Sequence, residues 1–325
     1  MSTSTPGDVA EPLPWHAAQW RQALSQERAN RLPHAVLITG TPGTGRNGFA
    51  VALARTLLCH TPTERGFCGE CKACRLSAGG AHADFLRVAP EEPGKAIGVD
   101  AVRDALRFAA GTPTQGTRKV MLLSPAEAMT TAAHNAFLKC LEEPTPGTHI
   151  VMVAALGAAL PATIRSRCQR WLLPDPDPQA AAAWLEAALN AADGAAQVPA
   201  AQRYLQLFGP APLAALDSLR DDTGNELLAL NDALCSEDGV YRPLAAERSA
   251  AAIDPDRFLQ VLEAAVQRWL RERSAAELHS VRGRRGFAAL DVIDQLRNAR
   301  RAGSNPNPDL LRFRALQVYA GLWQP

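Results

Sequence analysis

At 325 residues the chain is long enough for about two or three domains, and 47% hydrophobic against 21% charged residues excludes a disordered polypeptide. Its 34 basic and 33 acidic residues nearly cancel, so bulk charge draws it to neither nucleic acid nor a membrane, and any such contact rests on a local patch. No run approaches the roughly 18–20 apolar residues of a bilayer span, and the opening MSTSTPGDVAEP lacks a basic start followed by an apolar core, which points to a cytoplasmic protein without a membrane partner.

Residues 15–30 read as an amphipathic helix. Short apolar runs follow at 34–40, 85–89, 119–124, 149–155 and 170–173, with helical patterns between them, and this alternation predicts an α/β domain around a parallel sheet covered on both faces. The pattern stops at 174–178, Pro-Asp-Pro-Asp-Pro, which reads as a linker. Beyond it the chain turns helical, at 179–192, 199–208 and 210–234, a small helical domain. From about residue 247, longer segments at 256–273, 286–301 and 308–322 suit a bundle whose Leu, Phe and Trp at helical spacing are expected in its core.

Directly after the first strand comes Gly40-Thr41-Pro42-Gly43-Thr44-Gly45-Arg46-Asn47, opening a helix through residues 49–58. A phosphate loop, G-x-x-x-x-G-K-[ST], wraps phosphates in backbone N–H groups at a helix N-terminus, with Lys neutralising charge and Ser/Thr ligating magnesium. Here Gly40, Gly43 and Gly45 remain, but Arg46 replaces the lysine with a planar fork and Asn47 replaces the hydroxyl. The strand at 119–124 ends in Ser124-Pro125 where a phosphate-loop ATPase carries Asp-Glu, and Glu127 beyond it is expected on the surface. A glycine turn joining strand to helix and a bound ATP both remain compatible with this loop.

Seven cysteines in a chain without an export signal favour metal or burial over disulfides. Cys59, Cys68, Cys71 and Cys74 form C-x8-C-x2-C-x2-C, a spacing that lets four thiolates converge on one structural zinc ion with no open position. An iron–sulfur cluster uses similar spacings, but no redox motif accompanies it. Cys140, Cys168 and Cys235 are isolated and expected to be buried.

The loop, the four-cysteine insert, the stretch Asn135-Ala136-Phe137-Leu138-Lys139-Cys140-Leu141-Glu142-Glu143-Pro144 and Thr163-Ile164-Arg165-Ser166-Arg167-Cys168 together resemble the bacterial DNA polymerase III clamp-loader family over roughly residues 10–175. The degraded loop, the absent Asp-Glu and Ala154-Ala155 in place of a polar γ-phosphate sensor resemble its non-motor side rather than the motor gamma/tau subunit. The resemblance implies three AAA+ domains: a phosphate-loop domain with zinc module at 1–174, a helical lid at 175–218 and a collar at 219–325. It implies a hetero-pentamer with gamma/tau and delta subunits that loads a sliding clamp onto primed DNA. Within it Arg167 would serve as an arginine finger on a neighbour's ATP; an ordinary surface salt bridge is the other reading of that residue.

Two rivals stand beside this one. A working ATPase of the same fold needs Arg46 to replace lysine functionally, and Ser124-Pro125 oppose it. A zinc-dependent DNA-binding protein would use Arg282, Arg284, Arg285, Arg297, Arg300 and Arg301 on phosphates, although a solvated helix face or a collar contact also accounts for them. Polymerase catalysis is not expected, since no carboxylate pair sits at strand ends.

Overall fold

The apolar runs of the first half form one parallel sheet. In the computed structural model, which describes residues 11–92, 94–191, 198–209, 211–220, 224–234, 241–301 and 306–324, the strands are β1 (Ala35–Gly40), β2 (Phe85–Val88), β3 (Lys119–Leu123), β4 (Thr148–Ala155) and β5 (Gln169–Leu172). Their spatial order is β2-β3-β4-β1-β5. β1 pairs with β4 from Ala35↔Ile150 to Gly40↔Ala155, and with β5 from Val36↔Gln169 to Thr39↔Leu172. Around them lie α1 (Ala17–Arg28), α2 (Arg46–Leu58), α3 (Lys72–Ala78), α4 (Val99–Ala110), α5 (Thr131–Glu142) and the short α6 (Ala162–Arg165).

Parallel strands need long crossovers, so helices cover both faces and the central strands β1, β3 and β4 are buried nearly throughout rather than alternating, while the edge strands β2 and β5 expose Arg87 and Gln169, Arg170 and Leu172. Side chains sort by parity. Leu37, Met121, Leu123, Ile150 and Met152 share a core with Val102 and Ala105 of α4 and Phe137 of α5. Val36, Ile38, Val120, Val151 and Val153 share another with Trp20 of α1 and Phe49 and Leu53 of α2. Cys140 and Cys168 are buried, as expected, whereas Cys235 lies outside the described residues.

The chain divides into two units, Met1–Asp177 and Pro178–Pro325. The second contains no strand among its described residues. It consists of α7 (Pro178–Ala191), α8 (Val198–Phe208), α9 (Pro212–Arg220), α10 (Gly224–Leu234), α11 (Pro243–Ala251), α12 (Pro255–Arg271), α13 (Ala275–His279), α14 (Val281–Arg301) and α15 (Pro308–Ala320). One core runs from Leu185 to Leu322, with α12 burying Phe258, Leu259, Leu262, Val266 and Trp269 at helical spacing. The buried Tyr319 hydroxyl donates to the Leu234 carbonyl at 2.8 Å.

Three expectations change here. The segment 210–234 is two helices, α9 and α10. α14 begins at Val281 rather than 286, because a Cβ on Gly286 would lie 2.7 Å from Leu270 Cδ2, so the glycine admits α12 instead of ending a helix. Not every aromatic of the bundle is core: Phe287 and Phe313 are 49% and 62% exposed.

Candidate functional site

The glycine loop is built by the end of β1 and the start of α2. Gly43 and Gly45 take positive φ of 80° and 97°, conformations that only glycine adopts without strain. The Thr44 hydroxyl donates to the Thr41 carbonyl at 2.8 Å, and the Trp15 indole donates to the Thr44 carbonyl at 2.9 Å. Leu13 lies directly over Gly45, whose missing Cβ would come 2.3 Å from Leu13 Cδ1. His16, fully buried edge-on to Phe49, has neither ring nitrogen hydrogen-bonded among the described residues, and burial pushes its pKa down to about 4.

The positions that hold magnesium in a phosphate-loop ATPase bond each other here. The Ser124 hydroxyl, just past β3, donates to Asn47 Oδ1 at 2.9 Å. Both groups are neutral, and magnesium sites rely on carboxylates and phosphates to compensate the ion's reluctant dehydration. Arg46 is half-buried; burial pushes its guanidinium below its ordinary range while the Glu127 carboxylate opposes that shift.

Glu127 corrects the surface assignment. No regular helix follows Pro125: a 3-10 turn at Ala126–Ala128 directs the side chain back to β4, where Glu127 Oε1 accepts the Ala155 N–H at 3.1 Å. Its Oε2 is buried with no hydrogen-bond partner among the described residues, as is Arg46 Nε. The signal in the sequence was a lone charge among Ala126, Ala128 and Met129 at a strand end.

The four cysteines converge. Cys59 caps the C-terminus of α2 and Cys71 the N-terminus of α3, and all four sulfurs lie within 4.8 Å of one another. The Sγ–Sγ separations are 3.6 Å for Cys59–Cys68, 3.9 Å for Cys59–Cys71 and 3.9 Å for Cys68–Cys74. These are far too long for disulfides, whereas sulfurs about 2.3 Å from one tetrahedral centre stand about 3.8 Å apart, so the donor set fits a zinc ion. N–H groups of Cys68, Cys71 and Cys74 point at neighbouring sulfurs at 3.3–3.4 Å. The Thr61 hydroxyl and the backbone of Cys71 and Glu70 push the Cys68 thiol down to about 6; burial pushes Cys74 up to about 12. The insert is tied to α2 by the Phe67 N–H on Thr56 Oγ1 at 3.1 Å and by Arg55 stacked 4.0 Å over the Phe67 ring.

Arg167 follows α6. Its Nη2 pairs with Glu142 Oε1 at 2.5 Å and its Nη1 donates to the Thr163 carbonyl at 3.0 Å, leaving the side chain 33% exposed. In the isolated chain it therefore is a surface ion pair.

The family model for DNA polymerase III, delta subunit, matches residues 15–177. The chain belongs to this family. Its curated relatives include the DNA polymerase III subunit delta' of Pseudomonas aeruginosa, 42% identical over 64% of this chain and 61% of its own length. The delta' subunit of Yersinia pestis is 37% identical over 69% of this chain and 64% of its own length. The DNA polymerase III subunit tau of Escherichia coli is 33% identical over 73% of this chain but 35% of its own length. The chain thus spans less than two thirds of the delta' relatives it matches. Residues 15–177 contain the loop, the four cysteines and Arg167, and end where the first unit ends.

Five of the six arginines of the candidate DNA-binding cluster have partners within the chain. Arg282 donates to the Leu322 carbonyl, Arg285 to those of Gly321 and Gln324, and Arg284 to that of His279. Arg297 pairs with Glu263, and Arg300 with both oxygens of Asp256 at 2.8 and 2.9 Å. The Arg301 side chain lies outside the described residues. These contacts close helix ends and cross-link α14 to α12, while Arg282 and Arg284 remain exposed on the helix. No helix among the described residues is long and apolar enough to cross a membrane.

Proposed function

We propose that this chain is the delta'-type member of a DNA polymerase III clamp loader: an AAA+ ring subunit that hydrolyses no ATP and presents Arg167 to the ATP of a neighbouring gamma/tau subunit. The assembly would be a cytoplasmic hetero-pentamer with gamma/tau and delta that places a sliding clamp on primed DNA. In this reading residues 175–218 form the lid and 219–325 the collar, and Cys59, Cys68, Cys71 and Cys74 hold a structural zinc that fixes the insert on α2.

The observation that carries the non-hydrolysing role is the Ser124–Asn47 hydrogen bond. Two neutral groups satisfy each other where an ATPase needs a hydroxyl and a carboxylate for its metal. Arg167 supports the second half of the reading. A guanidinium in the turn after α6, one third exposed and oriented by Glu142 and the Thr163 carbonyl, still has donors to offer charge spreading over a transferred phosphoryl group.

Glu127 favours a second reading, a working ATPase, because it brings one carboxylate with an unpartnered oxygen toward the loop. Two assays separate them. Single-turnover incubation of the isolated chain with ATP is expected to release no phosphate above a heat-inactivated control; release that disappears in Glu127→Gln would establish the ATPase. In the reconstituted loader, Arg167→Ala is expected to preserve assembly and lower clamp- and DNA-stimulated hydrolysis, with Arg167→Lys a poor substitute because the fork is lost. An unchanged rate removes the finger role.

A further inference from the structure

We propose that Glu142 is the positioning residue for Arg167, an inference that rests on the reading of Arg167 as the group offered to a neighbour's nucleotide. Glu142 is the last residue of α5, and Glu143 follows it. The C-terminus of a helix carries partial negative charge, so carboxylates there are disfavoured unless a cation answers them. Arg167 is that cation, at 2.5 Å.

The geometry fixes an orientation rather than merely a charge. Nη2 meets the Glu142 carboxylate at the end of α5 and Nη1 meets the Thr163 carbonyl in α6, so two separate elements grip the two terminal nitrogens. A guanidinium has five N–H donors; Glu142 takes one on Nη2, while Nη1 donates to the Thr163 carbonyl at 3.0 Å and, at 3.5 Å, to Ser166 Oγ. The second Nη2 hydrogen and the Nε–H are used by none of these contacts and can serve an incoming phosphate oxygen. Glu142 therefore sets the plane of the fork without consuming it, which is how an approaching anion gains from preorganisation instead of ordering a long flexible side chain.

The experiment is steady-state ATP hydrolysis by the reconstituted loader with clamp and primed DNA, comparing Glu142→Ala, Glu142→Gln, Arg167→Ala and the double variant Glu142→Ala with Arg167→Ala. Glu142→Ala is expected to lower kcat about two- to fivefold, the scale of a half-exposed ion pair, with KM for ATP unchanged. Glu142→Gln, which keeps an acceptor, falls between it and the unmodified protein. The double variant matches Arg167→Ala alone. If Arg167→Ala slows hydrolysis and Glu142→Ala does not, the positioning role is wrong while the finger survives. Losses that multiply in the double variant would show Glu142 acting independently of Arg167 and overturn the proposal. An unaffected Arg167→Ala overturns both readings together.

Discussion

Asp84 is a buried charge whose removal is expected to loosen the edge of the sheet. Its carboxylate is fully buried and accepts three hydrogen bonds: from the Thr114 N–H at 2.8 Å, the Thr114 hydroxyl at 3.0 Å and the Gln115 N–H at 2.7 Å. Its own carbonyl accepts the Val120 N–H at 2.9 Å, so one residue ties the turn at 114–115 to the start of β3. In Asp84→Asn one oxygen can still serve Thr114, but the new amide NH2 faces the Gln115 N–H. The variant loses one charge-assisted bond and strands a buried donor, together about 3 kcal/mol of local stability, or roughly a hundredfold faster opening. Hydrogen exchange read by mass spectrometry over residues 113–124 at pH 7 measures this. Burial acts against the Asp84 charge, but the Thr114 and Gln115 N–H groups with the Thr114 hydroxyl outweigh it and hold the pKa below the ordinary carboxylate range. The stabilisation is therefore present above the unfolded value of about 3.9 and lost as pH falls through the lower folded value. The gap in melting temperature between the two proteins should narrow below about pH 4. Exchange within threefold of the unmodified protein at pH 7 would refute the reasoning.

Protein purified without added metal is expected to carry one zinc per chain by elemental analysis, and Cys71→Ser to lose it and become protease-sensitive around residues 59–80, since such sites contribute on the order of 10 kcal/mol to local folding; four freely titrating thiols in the native protein would exclude the site. Arg46→Lys combined with Asn47→Thr is expected to leave phosphate release at background in single-turnover assays, because Ser124 and Pro125 still supply no carboxylate; measurable turnover would show that the loop alone had been limiting.

The sheet was legible because its central parallel strands are nearly continuous apolar runs and its edge strands keep a short apolar stretch beside charged or polar residues, and each run coincides with a strand to within a residue or two. Where the reading failed, the deciding contact was distant or unusual. Pro178 looks like linker but starts α7, where its missing N–H costs nothing. α3 carries no Ser, Thr, Asp or Asn at its start; Cys71 Sγ accepts the Cys74 N–H at 3.4 Å in their place, so a residue of the four-cysteine cluster also caps a helix. Gly224, read as an interior residue of one helix, begins α10 beneath Tyr204, whose ring fills the space a Cβ would take. Spacing located the four cysteines because two-residue gaps impose convergence locally. It could not place Glu127, because its direction depends on a 3-10 turn and on a bond to Ala155, 28 residues away.

A glycine signature can outlive phosphate chemistry when the fold itself needs the glycines. At Gly45 any L-residue would meet left-handed strain of about 1–2 kcal/mol and would collide with Leu13, while Trp15 and His16 of the same turn press on the loop from the same side. Gly43 carries the same backbone requirement at φ 80°. No comparable demand falls on positions 46, 47 and 124: Asn47 is exposed, and its contact with Ser124 would be remade by many polar pairs. The residues that packing requires are thus present, while Arg46, Asn47 and Ser124 stand where a phosphate-loop ATPase carries Lys, Ser or Thr, and Asp. It follows that the turn from β1 into α2 identifies the fold, and that the chemistry must be read from the side chains at 46, 47, 124 and 127.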